Sequence, residues 1–505
     1  ILSLAYAAFR MAWGRLGAFV AAAVFISVFS FSHLTSICNY NFATPYTHES
    51  THGILLLLAT ALIAVRWSRQ KSRKLAFALG ICGGLAVVMK PEFMLAGGVV
   101  GIAALALRWW QRQWVGAAEF GLLLAGLALP TVAFAAWFAR VESWKAAFID
   151  ASQAWWLVLV EQIQKGSNDQ QTYVGLDQPW VNVRFELEAG AIALVALVAI
   201  WAAGWFLNRS WSWTVRGVAA LGAAAVVCCC RLPGGWFWVG GCLPVLTGIV
   251  LALVGMRLWR ELRQTGRPTE RTVMAFALTL LAGAMLARML LHTRVYHLGF
   301  FQAALASMVV VAMMVSELPR WTGVGLWGQR VATIGCVLVL AVGCASIAAK
   351  SRAILFEQTE VVGTGRDRFY AFNGLVDETG PVVNWVVEQL KSIPPEATLA
   401  VLPDGEMINY LSRHVNPVPA RPRGSGEKEY LELLKKSPPD YMVLICRDPR
   451  QYGVTRYGTV GNSGRSIVNW LAENYTITFA AGGDPLVPEQ MKAGATIVRR
   501  KGIGP

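Results

Sequence analysis

The chain has 505 residues, of which 55% are hydrophobic and only 15% are charged, and its formal net charge is +15. An ordinary soluble protein carries about 25% charged residues, so the composition excludes that class. Repeated apolar runs of about 17 to 25 residues predict a polytopic membrane protein. The positive charge does not indicate nucleic-acid binding, because the basic residues cluster in short loops between apolar runs.

An all-α membrane domain is predicted over residues 1–348. Its first part, Ile1–Trp13, is typical of the end of a transmembrane helix already under way, so we expect the natural chain to begin earlier. About eleven spans follow this N-terminal stub: 15–34, 53–67, 75–89, 93–109, 116–138, 188–207, 213–230, 236–256, 272–290, 298–316 and 331–348.

The basic residues of the loops predict the orientation of these spans. One loop contains Arg66, Arg69, Lys71, Arg73 and Lys74. It falls on the same side as the arginine-rich loop 257–271 when the spans alternate, and the positive-inside rule makes this side cytoplasmic. The other, extracytoplasmic face then carries the polar segment before residue 53, Lys90, the loop 140–187, the turn 291–297 and the C-terminal tail.

Residues 349–505 have the composition of a soluble α/β domain. Helices are predicted at Pro381–Ile393, Glu427–Lys436 and Ser466–Tyr475, and strands at Thr398–Leu402, Tyr441–Cys446, Thr476–Ala481 and Ala495–Arg499. Alternation of this kind predicts a small layered domain, placed by the topology on the extracytoplasmic side. No glycine-rich phosphate loop precedes a helix in it.

A polar segment, Asn39–Gly53, separates two long apolar runs near the N-terminus. Within it His48-Glu49-Ser50-Thr51-His52 matches the H-E-x-x-H pattern, in which two imidazoles on one helix face bind zinc and the glutamate acts as a general base. No third ligand stands at a suggestive position. We therefore favour a non-hydrolytic pocket or acceptor-side role, although hydrogen-bonded histidines at a helix start are also compatible with the pattern. The residues concerned are Tyr40, Tyr46, His48, Glu49 and His52.

Lys90-Pro91-Glu92 places a cation and an acid at the extracytoplasmic end of a span. Lys90 would hold a phosphate group, and Glu92 would fix it or position an acceptor. The alternative is a lysine that snorkels towards water and forms a local ion pair.

Arg288 lies within an apolar span, where an arginine is costly unless it is paired or faces a polar cavity. Together with Arg294 it suits a phosphate or pyrophosphate on a lipid carrier, and Tyr296 and His297 would line the same pocket. Pairing of Arg288 with a carboxylate from another span is the less favoured alternative, because the spans contain almost no acids.

Several short motifs, in this order and topology, resemble those of the GT-C superfamily of polyprenyl-phosphate-sugar-dependent glycosyltransferases. The nearest members in pattern are bacterial protein O-mannosyltransferases and lipid A aminoarabinose transferases. The motifs are Asn39-Tyr40-Asn41-Phe42 with Pro45-Tyr46 and Gly53, Gly83-Gly84-Leu85 with Met89-Lys90-Pro91-Glu92, Tyr296-His297-Leu298-Gly299-Phe300, Leu402-Pro403-Asp404-Gly405 with Asn409-Tyr410-Leu411, and Tyr452-Gly453-Val454.

The resemblance implies a GT-C-like membrane domain and an inverting sugar transfer, in which Lys90, Arg288 and Arg294 stabilise the leaving lipid phosphate. It also implies a catalytic Asp or Glu in the first extracytoplasmic loop. That acid is expected upstream of Ile1, in an N-terminal part outside this sequence, and the catalytic residue is therefore not assigned.

The expected partners are a lipid-linked sugar donor, membrane lipids and other subunits of a membrane complex, without nucleic acid. A bacterial inner membrane is the expected location. No cofactor is required by this interpretation, and a divalent metal is left open. Three alternatives stay open: a non-catalytic GT-C-like subunit, a membrane zinc metalloprotease using His48, Glu49 and His52, and, less favoured, a transporter.

Overall fold

The computed structural model describes residues 1–35, 40–45, 47–152, 155, 174–207, 238–295, 299–321, 325–403, 405–418, 427–446, 464–483 and 493–503. These residues form two compact units, Ile1–Arg352 and Ala353–Pro505. The division falls inside a long helix, a few residues after the point where the composition changes.

The first unit is built from helices. They are α1 (Leu2–Val24, continued by a π-helical turn Phe25–Ser30), α2 (His48–Trp67), α3 (Arg73–Met89), α4 (Pro91–Trp110), α5 (Ala117–Phe138), α6 (Trp144–Ala151), α7 (Pro179–Leu207), α8 (Leu243–Thr265, after a 3₁₀ turn Trp238–Cys242), α9 (Glu270–Leu286, followed by a 3₁₀ turn Ala287–Met289), α10 (Phe300–Ser316), α11 (Leu318–Trp321) and α12 (Leu326–Phe356).

In the described part of the chain, eight helices are long and apolar enough to cross a membrane. This is compatible with an integral membrane protein. The predicted spans 75–89 and 188–207 also coincide with helices, α3 and α7, which are not among the eight. The predicted span 213–230 lies outside the described residues.

The first helix differs from the prediction of a stub followed by a separate span. Leu2–Ser30 is one helical element, but Gly14 interrupts it with non-helical angles, φ 79° and ψ −173°. A positive φ at this value is easily reached only by glycine. The predicted boundary between Trp13 and Arg15 therefore corresponds to a break within one element.

Loop contacts bring together segments that the charge pattern assigns to the same side of the bundle. At one end, here called the basic end (loops 68–72, 111–116 and 266–269), an Arg69 guanidinium N–H donates to the carbonyl of Pro268 at 2.8 Å. At the other, here called the mouth end (residues 40–45, Thr47, Lys90, 287–295 and Gly299), the Leu291 N–H donates to the carbonyl of Val174 at 3.2 Å.

Helices α3 and α5 approach each other closely through glycine. A Cβ added to Gly126 of α5 would lie 2.5 Å from the carbonyl oxygen of Phe77, and one added to Gly80 of α3 would lie 2.2 Å from that of Leu123. Small residues allow this backbone contact between membrane helices. Gly84 of α3 approaches α5 in the same way, since a Cβ added there would lie 2.4 Å from the carbonyl oxygen of Leu127.

We expect Gly126→Ala to lower the free energy of unfolding by about 1 to 3 kcal/mol, because the new methyl group meets backbone atoms that cannot turn away. The matched control is Gly121→Ala on the same helix, where an added Cβ meets nothing within 4 Å. That change should be neutral or stabilising by up to about 1 kcal/mol. Denaturant titration in detergent measures both, and equal effects would contradict the packing account.

The second unit contains a two-stranded and a four-stranded sheet. Its elements are β1 (Glu360–Val362), β2 (Phe369–Ala371), α13 (Thr379–Leu390), β3 (Leu399–Leu402), α14 (Glu406–Ser412), α15 (Glu427–Lys436), β4 (Tyr441–Cys446), α16 (Arg465–Asn474), β5 (Tyr475–Gly482) and β6 (Gly494–Arg500). The larger sheet has the order β3-β4-β6-β5, with β3 parallel to β4 and the other neighbours antiparallel.

Two apolar layers cover the larger sheet. Val386, Val443 and Ile497 belong to one buried cluster, whereas Met442 and Leu471 belong to the other. Alternate residues of β4 thus enter different clusters, as the period of two in a strand requires. The predicted α/β architecture matches this sheet and its helices, but hairpin β1–β2 and helix α14 were not predicted.

Glu427 ties α15 to the start of α16. Burial raises the pKa of this carboxyl, but hydrogen bonds from the backbone of Gly464, Ser466 and Ile467 and from the Ser466 hydroxyl outweigh it and hold the pKa below its usual value. The Ser466 N–H donates to Glu427 Oε1 at 2.7 Å. A carboxylate at a helix N-terminus is also favoured by the helix dipole.

The stabilisation by Glu427 should be present above the pKa of the unfolded chain, about 4.3, and lost as the pH falls through the lower folded value. We expect Glu427→Gln to increase amide exchange in α16 by the equivalent of about 1 kcal/mol at neutral pH. This difference from the wild type should shrink in acid. Hydrogen exchange measured across this range tests it, and a difference that grows in acid would contradict it.

Candidate functional site

Lys90 lies at the mouth end, between helices α3 and α4. Pro91 is the first residue of α4, and the residue before a proline is driven to extended angles; Lys90 has φ −152° and ψ 143°. The chain therefore turns here, and the half-buried lysine extends over an aromatic ring. Its Nζ lies 5.6 Å from the centroid of Phe301, which is within cation–π range.

Arg288 forms an ion pair with Glu92 from the first turn of α4. This contact matches the less favoured of the two alternatives for Arg288, a carboxylate from another helix, although Glu92 lies at the start of α4 rather than inside a span. The Arg288 side chain is 49% exposed and that of Glu92 only 16%. About half of the Arg288 side chain thus remains accessible beside the ion pair.

Arg294 lies between the 3₁₀ turn Ala287–Met289 and helix α10. Its Nε donates to His292 Nε2 at 2.9 Å, so that imidazole nitrogen acts as an acceptor. The Thr293 hydroxyl donates to the carbonyl of Met289 at 2.8 Å, and a Cβ on Gly299 would lie 2.6 Å from the Arg294 carbonyl oxygen. These contacts hold the backbone of Arg294 in place.

The polar segment after α1 folds back on the end of that helix. The buried Asn41 accepts hydrogen bonds at Oδ1 from the N–H groups of Ala43, at 3.1 Å, and Thr44, at 2.8 Å. The Phe42 N–H donates to the carbonyl of Phe29 at 3.1 Å. An asparagine that bonds its own following backbone is a common way to stabilise such a turn.

Aromatic rings connect the predicted motifs with one another. Phe42 from the polar segment lies edge-on to Phe300, with centroids 5.1 Å apart, and the Tyr40 ring lies 6.2 Å from Phe300. Phe93, three residues after Lys90, lies 5.8 Å from Phe301. The structure therefore brings together the Tyr40 segment, the Lys90 turn and the start of α10.

Gly53 belongs to the same contact region. A Cβ added there would lie 2.3 Å from the ring of Phe93, so the ring occupies the space that a side chain would need. This close approach gives a physical reason for the glycine at position 53.

His48, Glu49 and His52 lie in the first turns of α2, which begins at His48 rather than at residue 53. The two histidines are four residues apart on one helix face, and all three side chains are exposed. In the described ranges, no group of three or more His, Cys, Asp or Glu residues could hold a metal ion. Tyr46, Tyr296 and His297 lie outside the described residues.

Three polar groups of the first unit were not singled out as site residues from the sequence. At the basic end Arg108 pairs with Glu119 in the interior, and Arg271 pairs with Glu317. The third is Glu186 of α7, a buried carboxyl whose Oε1 has no hydrogen-bond partner in the part of the chain that the structure describes. The available signal was an acid at the edge of an apolar run.

Comparison with known proteins gives no match: no family model and no curated protein matches the chain. The eight apolar helices found among the described residues and the small C-terminal sheet define the class, a helical membrane-type bundle followed by an α/β unit.

Proposed function

We propose that the protein is an integral-membrane glycosyltransferase of GT-C type that moves a sugar from a polyprenyl-phosphate donor to an extracytoplasmic acceptor. The observation that carries the proposal is the group of cations at the mouth end. Lys90 lies against Phe301, Arg288 pairs with Glu92 two residues further on, and Arg294 lies six residues after Arg288. The apolar bundle beneath them suits a polyprenyl chain.

The three cations would act on the charge that develops during transfer. The acceptor hydroxyl loses its proton to a base, its oxygen attacks the anomeric carbon, and the bond from that carbon to the phosphate oxygen breaks. The configuration at the anomeric carbon is inverted, and polyprenyl phosphate leaves with the electrons of the broken bond. Lys90, Arg288 and Arg294 stabilise the leaving phosphate, an effect worth about 3 to 4 kcal/mol for one donor group in comparable sites.

Arg288 supports this role because about half of its side chain stays accessible in the ion pair. An incoming phosphate competes with Glu92 for the Arg288 guanidinium. When the phosphate displaces Glu92, the freed carboxylate can orient the acceptor. The exposed His48, Glu49 and His52 and the ring of Tyr40 belong to the acceptor side. The base itself is not assigned.

The proposed location is a bacterial inner membrane, as the resemblance implies, and the charge pattern supports an orientation with the mouth end outside the cytoplasm. The basic end would face the cytoplasm, as the positive-inside rule requires. The C-terminal unit is proposed to lie on the extracytoplasmic side.

The test is donor consumption by the intact full-length protein in liposomes. We expect radiolabelled sugar to leave polyprenyl phosphate when membrane extract supplies the acceptor, and free polyprenyl phosphate to accumulate. Donor binding without turnover would favour a non-catalytic subunit instead. Stoichiometric zinc that disappears in His48→Ala would favour the peptidase alternative.

A further inference from the structure

A polar pocket lies at the basic end of the first unit, far along the helices from the mouth end. Its volume is about 360 Å³, and it is bounded by α1, α8, α9 and α10. The walls combine apolar side chains such as Leu253, Val254 and Met313 with the arginines Arg257 and Arg260. This volume is within the range of small-molecule sites.

The pocket is positively charged although it contains a carboxylate. Glu317 pairs with Arg271, and its Oε1 lies 3.9 Å from an Nη1 atom of both Arg257 and Arg320. Three arginines therefore lie within 4 Å of Glu317, and Arg260 lines the same pocket. With Glu261, which pairs with Arg257, four arginines stand against two acids, so the net charge is positive. An anion is favoured over a cation at this position.

Arg260 is available to such an anion. Its side chain is exposed and has no hydrogen bond or ion pair in the ranges that the structure describes. Arg257 is 44% exposed and binds Glu261 at 3.1 Å on its own helix, so it keeps its orientation while part of its guanidinium remains open.

Tryptophan side chains indicate the depth of this pocket relative to a membrane. Trp259, between the two arginines on α8, lies 5.7 Å from Trp110, and both rings are about half exposed. Tryptophan concentrates at the level of lipid headgroups. Arg257 and Arg260 therefore lie where a headgroup phosphate would lie, with apolar walls next to the acyl region.

We propose that this pocket binds the headgroup of an anionic glycerophospholipid from the surrounding leaflet. Arg257 and Arg260 would hold the phosphate, and the apolar walls would contact the first part of an acyl chain. Basic pockets between membrane helices bind anionic headgroups in this manner. The site is independent of the proposed sugar transfer, since none of its residues belongs to the mouth end.

The test measures melting temperature in nanodiscs of phosphatidylcholine with or without phosphatidylglycerol. We expect phosphatidylglycerol to stabilise the wild type and inorganic phosphate at equal concentration to have no such effect. Arg260→Gln should weaken the lipid dependence, on the order of fivefold in the concentration required. The double variant Arg257→Gln and Arg260→Gln should abolish it.

The matched control is Arg263→Gln, which removes an exposed arginine from the same helix. Arg263 lies over the Trp259 ring, with its guanidinium carbon 4.4 Å from the centroid, and does not line the pocket. Its lipid dependence should equal that of the wild type. Each variant is compared with its own phosphatidylcholine baseline, so altered folding does not mimic lost binding.

Equal losses in Arg260→Gln and Arg263→Gln would overturn the proposal, because they would indicate unspecific surface charge. Stabilisation by inorganic phosphate to the same extent would also overturn it. So would a wild type whose melting temperature does not change with phosphatidylglycerol.

Discussion

Arg108→Ala is expected to lower the free energy of unfolding by about 3 to 5 kcal/mol, the cost of leaving a buried charge without its partner. The Arg108 side chain is fully buried and holds Glu119 through two hydrogen bonds, of 2.6 and 3.1 Å. Glu119 also accepts from Trp67 Nε1 at 2.6 Å and from the Ser72 N–H at 3.4 Å. The change therefore disturbs α2, α4 and α5 together.

The double variant Arg108→Met with Glu119→Leu should recover most of this loss, since well-packed apolar residues often replace a buried pair at little cost. The exposed pair of Arg184 and Glu188, with side chains 82% and 50% accessible, is the matched control. Arg184→Ala should change the free energy of unfolding by less than about 1 kcal/mol. Equal losses at the two arginines, measured by denaturant titration in detergent, would contradict this account.

Lys90→Ala is expected to reduce sugar transfer about 100- to 1,000-fold, the usual effect of removing one group that stabilises a developing negative charge. The loss should fall mainly on the turnover number, because the leaving phosphate gains its charge in the transition state. Lys90→Arg should keep a substantial part of the activity. Radiolabelled donor in liposomes provides the measurement.

Lys145→Ala is the control for Lys90. Lys145 is an exposed cation on α6, a helix that the topology places on the same side of the membrane. Its removal should leave transfer unchanged. Wild-type turnover in Lys90→Ala, with the protein still folded, would remove the phosphate-site hypothesis.

The positions of most membrane helices could be predicted because each is a long apolar run between charged loops. The ends of the helices were harder to predict. Helix α2 begins at His48, five residues before the predicted span, because its first turn is polar and hydropathy assigns those residues to the preceding segment. The break at Gly14 was predictable as a boundary but not as an interruption of one element. In the second unit, strands such as Tyr441–Cys446 followed from their apolar, β-branched content.

The candidate site was predictable as a set of residue types but not as a set of contacts. Nothing in a sequence pairs Arg288 with Glu92, because 196 positions separate them. The same holds for the ring contacts that place Phe42 and Phe93 beside Phe300 and Phe301. Such pairings depend on how helices meet, which local patterns do not specify.

The most direct measurement of the central claim is an experimental structure of the protein with polyprenyl phosphate. We predict that the phosphate lies at the mouth end, in hydrogen-bond contact with Lys90 and with at least one of Arg288 and Arg294, and that the polyprenyl chain follows the apolar helices. The ion pair of Arg288 with Glu92 should loosen in that complex. Polyprenyl phosphate bound only away from the mouth end, with no lipid phosphate at Lys90, would contradict the claim.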